Sequence, residues 1–315
     1  MVWLLQCTSP FSKWAKWFHS KSTTLEILHI FETTPWLFYT ATLALGLCVG
    51  SFLNVVIYRL PAMLERDWRI QCHEYLELGD ANIDKKLQLL SLSKPDSTCP
   101  LCGHKIRAWE NIPVLSYLFL RGKCSSCRSE ISLRYPAIEL VTGVLSILVA
   151  WKFGVSLATL CALLLTWTLV ALTLIDYDKQ LLPDDLTLPL LWLGLLISFF
   201  NVFTDTKSSL VGAMLGYMIL WSVFQIFKIV TGKEGMGFGD FKLLAALGAW
   251  VGWELLPQII LLSSVVGAVT GIFMLATGLT KRQQPIPFGP YLAVAGWIAL
   301  MWGHDINHLY LSSIQ

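Results

Sequence analysis

Phe153-Gly-Val-Ser-Leu-Ala-Thr-Leu-Cys-Ala-Leu-Leu-Leu-Thr-Trp-Thr-Leu-Val-Ala-Leu-Thr-Leu-Ile175 contains no Asp, Glu, Lys or Arg, and it stops at Asp176-Tyr-Asp178. A helix rises about 1.5 Å per residue, so about 20 apolar residues cross the hydrocarbon core of a bilayer. Polar and apolar positions do not alternate, which sets aside a transmembrane β-strand. The stretch reads as a spanning helix that delivers carboxylates to one membrane face.

The rest of the chain agrees. Of 315 residues, 55% are apolar and 14% are charged, where a soluble domain carries about 25% charge. The mean hydropathy is +0.61. One water-soluble core, a disordered chain, collagen and a small disulfide scaffold are all excluded. The fold class is an all-α polytopic membrane protein with about eight transmembrane helices. They are expected near 36–57, 136–151, 156–175, 186–203, 208–227, 241–256, 258–278 and 289–303, the second, sixth and eighth being short. Residues 1–35 precede the first span as an extension. Ser12–Phe18 carries charge, but no small-residue cleavage site follows before Leu25, so no clean signal peptide is read.

Lys and Arg set the orientation. The polar segment 58–135 holds twelve of the 23. Placing it in the cytoplasm puts Lys179, Lys228, Lys233, Lys242, Lys281 and Arg282 inside as well. Only Lys152 and Lys207 fall in outer loops, and the tail 304–315 has neither Lys nor Arg. The N-terminal tail departs from the rule, since Lys13, Lys16 and Lys21 lie outside by parity. Its stretch Phe11–Phe18 reads either as an interfacial helix or as a dispensable extension.

Segment 58–135 is the only region suited to a water-soluble subdomain. It contains Cys99-Pro-Leu-Cys102 and Cys124-Ser-Ser-Cys127, separated by 21 residues, as in zinc ribbons. Each knuckle presents two thiolates on one side of a tight turn, and two knuckles complete a tetrahedral site. Gly103 and Gly122 flank the knuckles, and Lys105, Arg107, Arg121, Lys123 and Arg128 would favour thiolate. A structural Zn2+ site competes with a redox pair and with four free thiols. No thioredoxin-like βαβ pattern surrounds the cysteines. Four cysteine ligands leave no open position, so such a metal is structural. The other cysteines are scattered, and a metal-binding tetrad points to a reducing compartment. Residues 104–120 mix basic, aromatic and aliphatic groups, which suits packing, a membrane surface or a ligand. Stretch 65–96 reads as solvated helix or linker.

Ionisable groups at membrane depth are functional candidates by default. Two clusters arise: Asp176-Tyr-Asp178 running on to Leu182-Pro-Asp184-Asp185, and Gly237-Phe-Gly239-Asp240. Two intervening spans return the chain to one face, so Asp176 and Asp240 can meet. Asp176 and Asp178 do not share a helix face. Asp184 and Asp185 follow Pro183 and suit helix N-terminal carboxylates. Asp178 reads as a solvated loop or support residue. Asp240 has two readings, a catalytic carboxylate approached by glycine backbone or an ordinary helix cap. Two close carboxylates share a proton. One then draws a proton from water attacking a peptide carbonyl, while the other donates to the carbonyl oxygen. The chain has no GxSxG and no HExxH, and His304 and His308 fall on the opposite side.

Several ordered motifs together resemble the bacterial type IV prepilin leader peptidases, the GxGD aspartic peptidases with N-methyltransferase activity. They are Gly50-Ser-Phe-Leu-Asn-Val-Val-Ile-Tyr-Arg-Leu-Pro61, the two CxxC pairs, Trp109-Glu-Asn-Ile-Pro-Val-Leu-Ser-Tyr117 and Arg134-Tyr-Pro136. The Asp176 segment with its Leu-Pro-Asp ending, Gly237-Phe-Gly-Asp240 and Ile286-Pro-Phe-Gly-Pro-Tyr291 follow. The likeness covers about residues 44–305. It implies a catalytic dyad at Asp176 and Asp240. It also implies cleavage after a Gly of the basic leader of type IV prepilins and pseudopilins, serving pili or type II secretion. Methylation of the new N-terminal residue, usually Phe, would follow with S-adenosylmethionine as donor.

By the same resemblance, 58–135 is a zinc-binding, methyltransferase-associated insert, 136–303 is a transmembrane aspartic peptidase domain, and 304–315 is a tail. No Rossmann glycine pattern marks a methyl-donor pocket, and the resemblance places it between Asn54 and Tyr135. The implied location is the bacterial inner membrane, multi-pass, with insert and active site on the cytoplasmic side. Membrane lipid is an expected partner and nucleic acid is not. The rival readings are an ion-coupled membrane transporter with a zinc-binding regulatory insert, and a non-catalytic assembly platform. No inverted repeat between the halves favours the transporter.

Overall fold

A computed structural model describes residues 26, 28–77, 89–278 and 287–314. Among the described residues the chain is helical, and its only β pairing is two isolated bridges in the cysteine segment. The helices are α1 (Pro35–Tyr75), α2 (Leu115–Phe119), α3 (Arg134–Phe153), α4 (Leu157–Lys179), α5 (Asp184–Ser198), α6 (Thr206–Thr231), α7 (Phe238–Val251), α8 (Leu256–Ala276) and α9 (Gly289–Ile314). The expected interfacial stretch Phe11–Phe18 and the positive loop at Lys281 and Arg282 lie outside the described residues.

Among the described residues, five helices are long and apolar enough to cross a membrane: α1, α3, α4, α6, and α8 with the turn before it, Trp253–Ala276. The expectation of eight spans is therefore met only in part. The segments expected at 186–203 and 241–256 form helices of 15 and 14 residues. Such helices are only about 21–23 Å long, short of the ~30 Å hydrocarbon core. The last helix is long, but Gly303-His304-Asp305 interrupts its apolar run.

Helix α7 owes its apolar sequence to protein burial. Every residue from Leu243 to Val251 is buried. Phe241, Leu244, Leu247 and Trp250 anchor the main core, into which α4, α5, α6 and α9 also contribute. The backbones of α6 and α7 meet closely at Gly212 and Gly248, while a Cβ at Gly216 would lie 2.6 Å from Leu244 O. Small residues at such crossings replace the hydrophobic drive that lipid removes. The Trp250 indole N–H donates to Leu190 O at 2.8 Å, so the buried ring leaves no orphan donor.

Helix α1 runs 41 residues, far beyond the expected end of its span at 57. It continues past that point as one helix, with Pro61 inside it, about 60 Å long by its residue count. Side chains on its outer part hold the returning chain. Buried Arg59 donates to Ser91 O at 2.9 Å and to Pro95 O at 2.7 Å, and Arg66 donates to Leu90 O at 2.9 Å. The stretch read as solvated helix or linker is thus helical to Tyr75, and its end near Leu90–Pro95 is docked on that helix. Lys179 pairs with Glu65 at 3.1 Å, joining the end of α4 to α1.

The insert consists of two matching knuckles. Cys99 N–H donates to His104 O at 2.9 Å and Gly103 N–H to Cys99 O at 2.9 Å. Cys124 N–H donates to Ser129 O at 2.8 Å and Arg128 N–H to Cys124 O at 3.0 Å. Gly103 and Arg128 occupy the equivalent left-handed position, with φ of 71° and 57°. The bridges Thr98 with Lys105 and Lys123 with Glu130 close the two turns.

Candidate active site and metal centre

Asp176 stands one turn before the end of α4 and is 5% exposed. Its Oδ2 accepts the backbone N–H of Gly289 at 3.0 Å. Gly289 opens α9, so this N–H has no partner inside its own helix. Asp176 thereby caps a helix 113 residues further along the chain. The first turn of α7 carries Asp240, which is 7% exposed. Its backbone N–H donates to Gly237 O at 3.3 Å, and its carboxylate lies back over Gly237. The cap reading of Asp240 is therefore half right: the side chain does close on the start of its own helix. The positive ends of two helices, α7 and α9, converge on two carboxylates.

Leu182 joins the halves of the site. A Cβ at Gly239 would lie 2.7 Å from the Leu182 Cβ, and one at Gly289 would lie 3.3 Å from its Cδ1. The leucine fills the space between two glycine backbones, with Asp176 above one and Asp240 beside the other. Leu182 thus packs beside the glycine next to each carboxylate, which puts both carboxylates at one end of the bundle. The expected pair is brought together at one buried position. The neighbouring aspartates separate from it. Asp178 takes both terminal nitrogens of Arg134, the first residue of α3. Asp184 accepts Lys242 Nζ at 2.7 Å on each oxygen, tying the start of α5 to α7. Asp185 is an exposed carboxylate in the first turn of α5.

Gly289 and Leu182 are site residues to which the sequence reading gives no role. Their signals are the Pro287-Phe-Gly-Pro290 and Leu182-Pro-Asp184 motifs, which mark glycine and proline at helix starts without naming what they face.

The four cysteines also converge. The Sγ atoms of Cys99, Cys102, Cys124 and Cys127 lie within 4.8 Å of one another, and those of Cys99 and Cys127 are 3.8 Å apart. A tetrahedral Zn2+ with bonds of about 2.3 Å needs sulfur atoms about 3.8 Å apart. The tetrad therefore has the donor set and nearly the dimensions of a closed zinc site. Backbone N–H groups of Cys102 and Leu101 pull the Cys99 thiol down to about 6 from its ordinary 9. The Ser129 hydroxyl, 3.1 Å from Cys127 Sγ, holds that thiol below its usual range. Cys102 shifts the other way: against the backbone N–H of His104, burial and the neighbouring thiols of Cys127, Cys99 and Cys124 raise it to about 11. Around the tetrad, Glu110 Oε2 accepts Arg107 N–H at 2.9 Å, and His104 Nε2 lies 3.3 Å from Glu110 and 3.2 Å from Ser125 Oγ. His104 thus bridges the two knuckles.

Two helix ends holding paired, buried aspartates beside a tetra-cysteine insert define a class, and the comparisons with known proteins place the chain in it. The family model described as bacterial Peptidase A24 N-terminal domain matches residues 44–153, and that of the type IV leader peptidase family matches 163–272. The chain belongs to the type IV leader peptidase family. It is 57% identical over 279 residues to a prepilin leader peptidase/N-methyltransferase of Stutzerimonas stutzeri, covering 89% of this chain and 96% of that protein. Identity to the protein of the same name from Pseudomonas aeruginosa is 55%, covering 91% and 98%. For that from Neisseria gonorrhoeae it is 52%, covering 81% and 87%. No solved structure matches the chain.

Proposed function

We propose that the chain is a bifunctional processing enzyme of the inner membrane. It cleaves the basic leader of type IV prepilins and pseudopilins and methylates the amine that cleavage exposes. The observation that carries the proteolytic half is the meeting of Asp176 and Asp240 between the starts of α7 and α9. Asp176 and Asp240 act as the dyad and share one proton. The ionised carboxylate takes a proton from the attacking water, and the water oxygen bonds to the scissile carbonyl carbon. The protonated carboxyl donates to the carbonyl oxygen. Collapse of the tetrahedral intermediate breaks the C–N bond, and the dyad returns a proton to the leaving amine. Gly289 N–H fixes the Asp176 carboxylate, and Leu182 keeps bulk water from the back of the pair.

The end of the bundle that carries the dyad also carries the insert, as Arg134 with Asp178 and Lys179 with Glu65 indicate. Both are assigned to the cytoplasmic face, where a prepilin presents its leader just outside its hydrophobic helix. Cys99, Cys102, Cys124 and Cys127 hold a structural Zn2+, which cross-links the two knuckles. Methyl transfer is assigned to residues 54–135, with S-adenosylmethionine as methyl-donor substrate and the new N-terminal amine as acceptor. The transporter reading has no observation in its favour.

The test is incubation of the purified protein with a prepilin and isotope-labelled methyl donor, followed by mass measurement. A shortened product carrying one labelled methyl group is expected. Asp176→Asn and Asp240→Asn should each leave the precursor uncut. Normal trimming by either variant would remove the dyad assignment.

A further inference from the structure

The insert exposes a stripe of large apolar side chains to which no step described above gives a role. Ile112, Leu115, Leu118 and Phe119 are all exposed, Phe119 to 84%. Their spacing puts them on one face of the turn and helix at 112–119. A water-facing loop gains nothing from such a patch, and contiguous exposed apolar surface marks a contact.

The height of the stripe is fixed by a membrane helix. Val114 N–H donates to Glu139 Oε2 at 2.7 Å. Glu139 is the sixth residue of α3, about 8 Å along the axis from Arg134. Helix α3 has 20 residues, the length of one crossing. The stripe therefore hangs beside the first two turns of a span. The support is rigid, because Glu139 is buried and a Cβ at Gly50 of α1 would lie 2.8 Å from its Cα. Val114 has φ of 61° and ψ of −47°, a region that β-branched residues avoid. Such a backbone persists where its surroundings dictate it. Exposed apolar residues of α3 lie on both sides of Glu139, with Tyr135 one turn before it and Leu140 and Val141 directly after, so Glu139 stands within the first exposed apolar turns of the span. On either side of the stripe in sequence, Arg107, Arg121, Lys123 and Arg128 are exposed, and the Arg107 guanidinium sits 5.3 Å from the Trp109 ring centre. An apolar face flanked by cations is the composition of an element lying in an anionic lipid interface.

We propose that residues 109–119 form a finger that enters the cytoplasmic leaflet beside the active site, held at its depth by Glu139, with anionic phospholipid as its partner. The inference rests on α3 crossing the bilayer, and the controls separate the two.

A photo-reactive benzoyl-phenylalanine is placed at Phe119, Val141 or Lys105 of the full chain. The protein is reconstituted in vesicles of phosphatidylethanolamine and phosphatidylglycerol, with and without a prepilin, then irradiated and weighed. Phospholipid adducts at position 119 should approach those at 141 and exceed those at 105 by about tenfold, as expected for a side chain in the acyl boundary. Glu139→Leu, which removes the acceptor, should lower the adduct at 119, while Glu139→Gln, which keeps an acceptor oxygen, should preserve it. Adducts at 119 to prepilin or to a second copy of the chain, or none at 119 while 141 labels, overturn the proposal. Absence of lipid adducts at 141 overturns it together with the span.

Discussion

Gly289 donates its backbone N–H to Asp176 Oδ2 at 3.0 Å, and a Cβ at Gly289 would lie 2.6 Å from that same oxygen. The hydrogen bond and the missing side chain are one requirement, since the donor must come close and only glycine leaves room. Gly289→Ala should therefore displace the carboxylate without emptying the core. A shift of about 1 Å in a catalytic group can lower turnover about 100-fold. Cleavage of a prepilin by Gly289→Ala should fall by about that factor, while zinc content and helical circular dichroism stay unchanged. Cleavage at the parental rate would mean that Asp176 needs no such fixing.

The two glycines before Asp240 are not equivalent. A Cβ at Gly239 would meet Leu182 at 2.7 Å, whereas one at Gly237 would meet nothing nearer than Asp240 Oδ2 at 3.8 Å. Gly237 has φ of −79°, which an alanine adopts without strain. Gly237→Ala should keep most of its cleavage activity and Gly239→Ala should lose most of it. Shortening the obstructing leucine, in Gly239→Ala with Leu182→Ala, should restore part. Time courses of prepilin trimming for the three variants check this, and equal losses at both glycines would refute the steric account.

The carboxylates and cysteines were legible because each breaks a local rule: charge at the end of an apolar run, or thiols paired at a knuckle spacing. The relations among them were not. Gly289 and Asp176 lie 113 residues apart, and no periodicity links them. The role of α7 was hidden for another reason. A helix buried in protein and one facing lipid are both apolar all round, so the apolar run Leu243–Val251, read as a span, gave no sign that it stands at the centre of the bundle. The length of α1 was missed because polar residues after 57 signal the end of the membrane without signalling the end of a helix. Arg59 and Arg66 tie its outer part to a segment more than twenty residues away.

The contact with Arg134 sets Asp178 apart from Asp176, the carboxylate proposed for the chemistry. Its paired hydrogen bonds join the end of the insert to the end of α4, two residues from Asp176. The pair is partly exposed, with side-chain exposures of 45% and 27%, so its net worth is about 1 kcal/mol or less. Asp178→Asn and Arg134→Ala should each lower cleavage less than about tenfold, the rate equivalent of about 1.4 kcal/mol. Their effects should not add in the double variant, because both remove one contact. A loss as deep as that of Asp176→Asn would place Asp178 in the chemistry.

The tetrad makes the remaining prediction, and its reasoning separates the two activities. Four thiolates from two knuckles form a closed set, so an ion held by them would have no position for substrate. Removing one ligand should then act through the fold of the insert. Cys124→Ser or Cys99→Ser should lower the zinc content of purified protein, measured by atomic emission, from near one per chain. The dyad is built on α4, α7 and α9, and the insert touches it through Arg134 with Asp178 and Lys179 with Glu65. Methylation should therefore fall at least as far as cleavage. Extraction of zinc from the parental protein with a chelator should reproduce that order of loss. Cleavage lost while methylation persists would reverse the assignment of the insert, and parental protein free of zinc would remove the metal from the account.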